Sequence, residues 1–525
     1  MYVFAQKIES TIGNSGVDQK AYWGACLMTS RPYLMLVSAA ILISTGGCSS
    51  GGGSGGSSGG SNSNTTPIIS SITPLNAPAG GADFTITVNG KGFVAASIVN
   101  WDGGNRMTTE VSDTQVTATI TAADIAAVGV AQITVVNPAS AADSGTSNSV
   151  GFIINGTPSY LYVANSIDVS LTMGNISVFS VDPNTGSLTP VQGSPFEGGA
   201  QPTSVTLDPS SRFLYEASNI DNTVPAKVIS GFAIAPSTGA IKAVPGSPFT
   251  AGSMPVSLSI DSTGKFLYTA DFGGDGNNNN ISELSIDAAT GALTPIAEAS
   301  CLNPDGLTTG VVTDPTAAFL FVSNSNGAVC SFSINSLGIL QPVTGSPVSL
   351  PMSPLIFAQA VAVDPFGKFV YVASNPENSG NGPFDVWAFS ITPGTGALNP
   401  VPASPVATGG SAGDPPIRWG TDPLGRFLYL ANFSDISGFS INTSTGALSM
   451  LAGFPFSAQV VPTSLVVDPS GKFLYVAGPF FNGSGYSVSA YAINETTGAL
   501  SAVPGSPFPI VDGQPQALTV TSKVQ

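Results

Sequence analysis

Six aspartates recur along the C-terminal two-thirds of the chain at intervals of 46 to 58 residues. They are Asp208, Asp261, Asp314, Asp364, Asp422 and Asp468. Carboxylates gathered from successive repeats could bind a cation or act as acid and base. However, the clearest copy, Asp468-Pro469-Ser470-Gly471, has the residue preferences of a type I turn, with Asp at its first position. We therefore predict that all six aspartates form turns, and we predict no metal site.

The overall composition narrows the chemistry further. The 525 residues include no histidine, which removes the commonest general base and the commonest metal ligand. Fourteen Lys and Arg against 31 Asp and Glu give a formal charge of −17, which repels phosphate backbones. No nucleic-acid partner and no cofactor are therefore expected. A low charged fraction of 9% with 61 Gly and 41 Pro favours many short strands joined by tight turns.

The spacing of the aspartates equals the length of a propeller blade. In the clearest copy, four strands are predicted within Pro462–Ala477, Ser487–Ile493, Gly498–Leu500 and Pro504–Phe508. The first copy begins on its second strand at Ser159, and the chain ends on an inner strand, Gln516–Thr521, with nothing after it. Pairing these two remnants closes a ring of seven blades without an open sheet edge.

Three short motifs stand out, namely Tyr-Val-Ala-Asn at 162–165, Phe-Leu-Tyr-Val-Ala at 473–477 and Gly-Ser-Pro-Phe at 505–508. They resemble the YVTN-repeat propellers of the lactonase, or 6-phosphogluconolactonase-like, family. The resemblance implies an all-β fold with a seven-bladed propeller over residues 157–525. It also implies lactone chemistry. In relatives, this chemistry is associated with a central cluster that includes histidine and arginine. Because this chain has no histidine, no catalytic residue is carried over.

One inner-strand position is expected near a mouth of the central channel. It lies four residues before each marker aspartate and is occupied by Ser204, Ser257, Gly310, Ala360, Arg418, Ser464 and Ala517. Arg418 stands alone among small residues, next to Trp419, and its guanidinium could bind a carboxylate or phosphate. Alternatively, Arg418 pairs with a loop acid such as Asp414 or lies in solvent. Arg418 and Trp419 are the candidate ligand-binding residues.

The next inner-strand position is apolar in every blade. Its residues are Val205, Leu258, Val311, Val361, Trp419, Leu465 and Leu518. We expect them to pack between neighbouring blades.

Residues 67–155 have the alternation of a small β-sandwich. Three motifs are found at Ile69–Pro74, Val88–Phe93 and Val136–Pro138. They resemble the motifs of the IPT/TIG immunoglobulin-like domain. In such architectures this domain serves as a spacer or contact module. Gly90 and Gly92 are expected at positive φ, where a strand turns sharply.

The N-terminal region contains a targeting pattern. Residues 28–47 combine Arg31, an apolar run and small residues before Cys48, which resembles a bacterial lipoprotein signal with Cys48 as the lipidated residue. A plain signal peptide or a buried helix is the alternative. Residues 1–27 are interpreted as an upstream start artefact, and the Gly/Ser-rich residues 48–66 as a flexible tether. The protein is thus expected to be exported and held at a membrane, facing the periplasm or the cell exterior.

Two further cysteines lie in the propeller. Cys301 and Cys330 fall in neighbouring repeats of an exported domain, where a disulfide is permitted. A disulfide and two buried free thiols both remain open from the sequence.

These features predict a lipid-anchored, monomeric binding or interaction module for an envelope protein or a glycan, without catalysis. The alternative is a lactone hydrolase in which Arg418 polarises the carbonyl group. A structural module of an envelope assembly is a third possibility.

Overall fold

The computed structural model describes residues 66–79, 83–126, 129–138, 145–155, 159–167, 174–219, 227–272, 280–301, 307–350, 356–376, 384–410 and 418–521. Every regular element in these ranges is a β-strand. Accordingly, none of the described ranges holds a helix capable of crossing a membrane. The predicted signal, Cys48 and the tether lie outside the described residues.

The N-terminal domain is a two-sheet sandwich. Its strands are β1 (Ile68–Thr73), β2 (Asn76–Pro78), β3 (Phe84–Lys91), β4 (Ile98–Trp101), β5 (Gly104–Asn105), β6 (Thr108–Ser112), β7 (Gln115–Ile120), β8 (Gly129–Asn137), β9 (Gly145–Thr146) and β10 (Val150–Asn155). One sheet has the order β1-β3-β7-β6 and the other β2-β10-β8-β4-β5, with β9 beside β8. Trp101 is 3% exposed and packs on Phe152 with ring centroids 5.0 Å apart, so it is a core residue rather than a contact.

The two glycines of the sandwich corner have different roles. Gly92 has a φ of 75°, as predicted, and Phe93 returns to the core. The prediction for Gly90 was wrong, because Gly90 lies in the β1–β3 ladder opposite Ile69 and is absent from the positive-φ positions. A Cβ there would lie 2.0 Å from the Ile68 carbonyl oxygen, so glycine is needed for close approach of the two strands.

The propeller starts on the outer strands of the blade that closes the ring, blade 7: β11 (Ser159–Ser166), β12 (Gly174–Val181), β13 (Leu188–Pro190) and β14 (Phe196–Gly198). Blade 1 comprises β15 (Pro202–Leu207), β16 (Phe213–Ser218), β17 (Lys227–Ile234), β18 (Ile241–Ala243) and β19 (Phe249–Thr250). Blade 2 comprises β20 (Pro255–Ile260), β21 (Phe266–Asp271), β22 (Asn280–Ile286) and β23 (Leu293–Ser300). Blade 3 comprises β24 (Thr308–Thr313), β25 (Phe319–Asn324), β26 (Ala328–Ile334), β27 (Leu340–Pro342) and β28 (Val348–Ser349).

The remaining blades follow the same plan. Blade 4 comprises β29 (Ile356–Val363), β30 (Phe369–Pro376), β31 (Asp385–Ile391), β32 (Leu398–Pro400) and β33 (Val406–Ala407). Blade 5 comprises β34 (Arg418–Thr421), β35 (Phe427–Ala431), β36 (Asp435–Ile441), β37 (Leu448–Met450) and β38 (Phe456–Ser457). Blade 6 comprises β39 (Ser464–Val467), β40 (Phe473–Pro479), β41 (Tyr486–Ile493), β42 (Leu500–Ala502) and β43 (Phe508–Ile510). The last strand, β44 (Gln514–Val520), is the inner strand of blade 7.

The predicted closure of the ring is present. β44 pairs antiparallel with β11, so the two ends of the propeller share one sheet in the order β13-β12-β11-β44. The Thr521 N–H donates to the Tyr160 carbonyl at 2.9 Å just beyond this ladder. Both chain ends of the propeller are therefore fixed by backbone hydrogen bonds, which removes the edge an open ring would expose.

The recurring aspartates occupy the turns that join the first two strands of blades 1 to 6. Asp468 is typical: its Oδ1 accepts the N–H groups of Lys472 at 3.0 Å and Phe473 at 2.8 Å. Its Oδ2 accepts the Ser470 N–H at 3.0 Å. All six carboxylates are buried, and the described residues contain no group of three or more side chains suited to a metal ion.

Second-strand tyrosines connect six of the seven blades to the next one, and blade 3 carries Phe321 at this position. Tyr215 Oη donates to the Gly291 carbonyl at 2.8 Å, and Tyr475 Oη donates to the Gly186 carbonyl at 3.1 Å across the closure of the ring. The accepting glycines have positive φ and lie against an aromatic ring; a Cβ on Gly186 would lie 2.4 Å from Phe473. The glycines of the outer hairpins are therefore required both by the turn and by the packing between blades.

Candidate functional site

The inner strands bring the predicted row of residues around one cavity of about 220 Å³. All seven positions line it: Ser204, Ser257, Gly310, Ala360, Arg418, Ser464 and Ala517. They lie near the starts of the inner strands, at the end opposite the aspartate turns. Small side chains leave this part of the channel open, and Arg418 is the exception among them.

The serines of the row join neighbouring inner strands. Ser204 Oγ accepts the Leu258 N–H at 3.2 Å, and Ser464 Oγ accepts the Leu518 N–H at the same distance. Each bond links one blade to the next around the channel. The serines are thus positioned by the fold, and their oxygens form part of a polar lining.

Arg418 extends across the channel. It starts β34 of blade 5, and its Nη2 donates to the Thr203 carbonyl of blade 1 at 2.7 Å. These blades are three steps apart in a ring of seven, which is the largest separation the ring allows. Burial lowers the pKa of the guanidinium from its ordinary value, but an arginine remains charged at physiological pH. Arg418 is half-buried rather than fully solvated, and Asp414, the partner named in the alternative interpretation, falls outside the described residues.

Trp419 lies beside Arg418 in the cavity wall. It pairs with Leu430 on β35 and packs against the apolar cluster shared by blades 4 and 5. Its buried indole N–H has no hydrogen-bond partner in the part of the chain that the structure describes. The other six residues of its row are buried in clusters between blades, as predicted.

The chemistry available in the cavity follows from this lining. It combines a guanidinium, serine hydroxyls and apolar side chains, and none of the described lining residues carries a carboxylate. The chain also contains no histidine. The described lining can therefore bind an anionic group, but it does not supply a side chain of the type that usually activates water.

Sequence reasoning missed Glu216, a carboxyl group buried beside the inner strand of blade 1. Glu216 is 0% exposed and pairs with Val205. Burial raises its pKa to about 8, although its Oε2 accepts the Gly199 N–H at 2.6 Å. The corresponding residues of the other second strands are Val163, Thr269, Val322, Val372, Leu430 and Val476. Aligning the second strands would have identified the glutamate as the exception.

Two further buried acids lie in blade 2. Asp271 accepts hydrogen bonds at 2.7 Å from Thr269 Oγ1 and from Ser282 Oγ, and burial raises its pKa to about 6. Burial also raises the pKa of Glu283, whose Oε1 accepts the Leu340 N–H at 3.3 Å. Residues 273–279, which follow Asp271 and Phe272, lie outside the described residues.

The cysteines of the propeller are bonded to each other. Cys301 follows β23 of blade 2, Cys330 lies in β26 of blade 3, and their Cα atoms are 5.8 Å apart. Both are 1% exposed. The disulfide links two neighbouring blades through a closed loop, which constrains the unfolded chain.

Together the fold and the cavity define a class: a seven-bladed propeller whose inner strands enclose a small channel, preceded by an immunoglobulin-like sandwich. The family model described as a lactonase, 7-bladed beta-propeller, matches residues 118–226, 160–277, 221–353 and 386–508. The IPT/TIG domain model matches residues 67–154. The chain belongs to the lactonase family of seven-bladed β-propellers and carries an IPT/TIG domain.

Individual relatives agree with this family. The chain is 25% identical over 343 residues to a 6-phosphogluconolactonase of Formosa agariphila, which covers 62% of this chain and 89% of that protein. A crystal structure from Bacteroides uniformis, provisionally named a 6-phosphogluconolactonase, has a TM-score of 0.56 at 19% identity and covers 70% of this chain and 100% of its own. A protein from Lactobacillus plantarum has a TM-score of 0.53 at 18% identity, covering 70% and 99%. The two structures support the fold alone.

Proposed function

We propose that this protein is an exported binding module whose propeller holds an acidic group of an envelope protein or glycan in the central channel, without catalysis. The observation that carries the proposal is the guanidinium of Arg418 inside a cavity otherwise lined by small, hydroxylic and apolar residues. The sandwich and the tether serve to hold the propeller away from the membrane.

The ligand class follows from the cation. A guanidinium matches the geometry of a carboxylate or phosphate and can donate two parallel hydrogen bonds to either group. Hydrogen bonds involving a charged partner are strengthened where water is partly excluded. Ser204 and Ser464 add hydroxyl groups within the same lining. A cavity of about 220 Å³ suits a single acidic group or a small acid rather than a large substrate.

Apolar loop tips at the same end of the propeller support a protein partner. Ile167 of blade 7, Phe433 of blade 5 and Phe481 of blade 6 are 42%, 47% and 56% exposed. Val511, which precedes β44, is 77% exposed. All four follow second strands or precede an inner strand, so they lie at the end where Arg418 begins β34. Exposed aromatic and aliphatic tips on a rigid ring are features of recognition surfaces.

Calorimetric titration with small acids tests the channel site. Acetate, glutarate, citrate and inorganic phosphate are titrated into the wild-type protein and into Arg418→Ala. At least one acid should bind to the wild type, and Arg418→Ala should weaken it at least tenfold. Arg212→Ala is the matched control, since Arg212 lies at the aspartate-turn end and should leave binding unchanged. Equal affinity in wild type and Arg418→Ala would reject the site.

Lactone hydrolysis is the second candidate function, and family membership with the 25% identical 6-phosphogluconolactonase is the observation that favours it. In this scheme Arg418 polarises the lactone carbonyl, and an acid from outside the described cavity lining activates water. The test is a panel of sugar and alkyl lactones with the purified protein. Turnover that disappears in Arg418→Ala would establish the lactonase and displace the binding module, whereas turnover that survives would place catalysis elsewhere.

The membrane attachment is a separate part of the proposal. It rests on the signal-like residues 28–47 and on Cys48. We expect Cys48→Ala to move the protein from the membrane fraction to the soluble fraction, while Cys26→Ala has no effect. A membrane-bound Cys48→Ala protein would contradict lipidation at this residue.

A further inference from the structure

We propose that the groove between blades 7 and 1 is a second binding site, which takes a neutral carbohydrate. A cavity of about 550 Å³ lies there, separate from the channel cavity. One wall is the segment from Phe196 to Ala200, which comprises β14 of blade 7 and the two residues after it. The other wall is formed by β16 to β18 of blade 1, with Ser218, Ser230 and Phe232 among its residues. The volume falls in the range of small-molecule sites.

Three polar side chains converge at the wall of this groove. A Cβ placed on Gly199 would lie 2.0 Å from Ser218 Oγ and 3.2 Å from both Glu216 Oε2 and Ser230 Oγ. Only glycine therefore permits the backbone to pass so close to these groups. The Gly199 N–H itself donates to Glu216 Oε2 at 2.6 Å. The cluster is thus part of a groove wall built around a glycine.

Part of this cluster is not satisfied by the fold. Ser218 is 2% exposed and lines the groove, yet its Oγ has no hydrogen-bond partner among the described residues. Glu216 Oε1, in the same described part of the chain, likewise has none. A buried polar group without a partner lowers the stability of the fold, so native structures keep few of them.

The side-chain oxygens at the same strand position are satisfied in blades 2 and 4, whereas the amide oxygens of Asn165 in blade 7 and Asn432 in blade 5 have no partner among the described residues. Ser374 Oγ in blade 4 accepts the Trp387 Nε1–H at 3.0 Å, and Asp271 in blade 2 accepts two hydroxyl groups. Ser218 therefore differs from Ser374 and Asp271 in having a cavity beside it instead of a protein partner. A ligand hydroxyl supplies the missing hydrogen bond.

The remaining lining indicates the class of ligand. Phe196, Phe232 and Pro248 present apolar surface, and Ser218 and Ser230 present hydroxyls. None of the described lining residues is Lys or Arg, and Glu197 places a carboxylate at the rim, which disfavours an anion. A sugar ring matches this combination, because its C–H face packs on apolar side chains while its hydroxyls exchange hydrogen bonds with serines and backbone groups. The inference does not depend on the channel site, since no residue of that cavity is used.

The experiment uses the full-length exported protein and a panel of methyl glycosides of glucose, galactose, mannose and N-acetylglucosamine. Binding is measured by saturation-transfer NMR and calorimetry up to 10 mM sugar. At least one glycoside should bind, Ser218→Ala should weaken it about fivefold, and Ser230→Leu, which fills the groove, should abolish it. Thermal unfolding of both variants establishes that they are folded.

Two controls make the result specific. Ser487 is also fully buried with an Oγ that has no partner among the described residues, but it lies in β41 of blade 6, so Ser487→Ala should leave sugar binding unchanged. Arg418→Ala should also leave it unchanged, which separates this site from the channel. The proposal is overturned if no glycoside binds. It is also overturned if Ser218→Ala binds the glycoside as tightly as the wild type and the Ser487→Ala control do.

Discussion

The two ends of the inner strands use their polar residues in opposite ways. At the turn end, each of the six aspartates accepts backbone N–H groups of its own turn, and Asp422 also pairs with the Arg426 guanidinium. At the opposite end, the inner-strand residues that line the cavity have small side chains in every blade except blade 5, which carries Arg418. On the neighbouring second strand, Glu216 is an acid where other blades carry apolar residues or threonine. Residues that recur from blade to blade therefore have a structural role in the blade.

In a repeat protein, a functional role is expected where the repetition breaks. A residue that recurs in each blade with the same partners is explained by the blade itself. A charged residue that occurs once, and is buried, costs free energy that the repeat does not require. The half-buried Arg418 and the buried Glu216, Asp271 and Glu283 are therefore the positions where a role beyond folding is to be sought.

The largest effect is expected from Glu216, through the pH dependence of stability. Its pKa is raised from 4.5 to about 8 in the folded protein, so between these values the folded state binds more protons than the unfolded state. Stability therefore falls as pH rises through this window, by up to about 1.4 kcal/mol per pH unit, and is not recovered above it. Glu216→Gln should remove this contribution.

Urea unfolding of wild type and Glu216→Gln at pH 5 and pH 8 measures the difference. The variant should gain stability relative to wild type at the higher pH. Glu197→Gln, a change at an exposed carboxylate, is the control and should follow the wild type. Parallel profiles for wild type and Glu216→Gln would mean that this acid is not held neutral, and the contrast between the two ends would lose its main support.

The next effect tests the turn end. Asp468→Ala should lower the free energy of unfolding by about 3 kcal/mol, because it leaves the N–H groups of Lys472 and Phe473 without their acceptor. Asp468→Asn keeps an acceptor oxygen and should cost less. Binding of small acids should be unchanged in the folded variants. Loss of binding with retained stability would show that the repeated carboxylates do more than form turns.

A smaller effect is expected for the tyrosines that connect the blades. Tyr475→Phe removes the bond to the Gly186 carbonyl and should cost about 1 kcal/mol. Blade 3 naturally carries Phe321 at this position, opposite Gly396 of the next blade, so Phe321→Tyr should add the missing bond and stabilise the protein by a similar amount. Chemical denaturation measures both changes. Destabilisation by Phe321→Tyr would show that the repeat does not extend to this contact.

The smallest effect on stability is expected at Arg418. Replacing this cation by Ala should change the free energy of unfolding by less than about 1 kcal/mol, because the lost hydrogen bond to the Thr203 carbonyl is offset by the removal of a desolvated charge. Urea unfolding of Arg418→Ala tests this. A loss of several kcal/mol would make Arg418 a structural brace of the channel rather than a ligand-binding residue.

Much of the fold could be predicted from the sequence. The Asp-Pro-Ser-Gly turn at 468–471 and the complementary remnants at Ser159 and Gln516 appear in the structure where the sequence places them. Less of the candidate site could be predicted. The row of seven residues around the cavity was identified, but the partner of Arg418 was not, and Glu216, Asp271 and Glu283 were missed.

What the sequence determined by itself is the architecture, because turns, strand alternation and the blade period depend on residues close together in the chain and recur in each blade. The tertiary structure alone decided that Arg418 reaches Thr203, 215 residues away, that Cys301 and Cys330 are bonded, and that Glu216 is buried beside a groove. Each of these depends on distances between separate blades and on exclusion of water. The sequence of a single repeat specifies neither the distances between blades nor the exclusion of water.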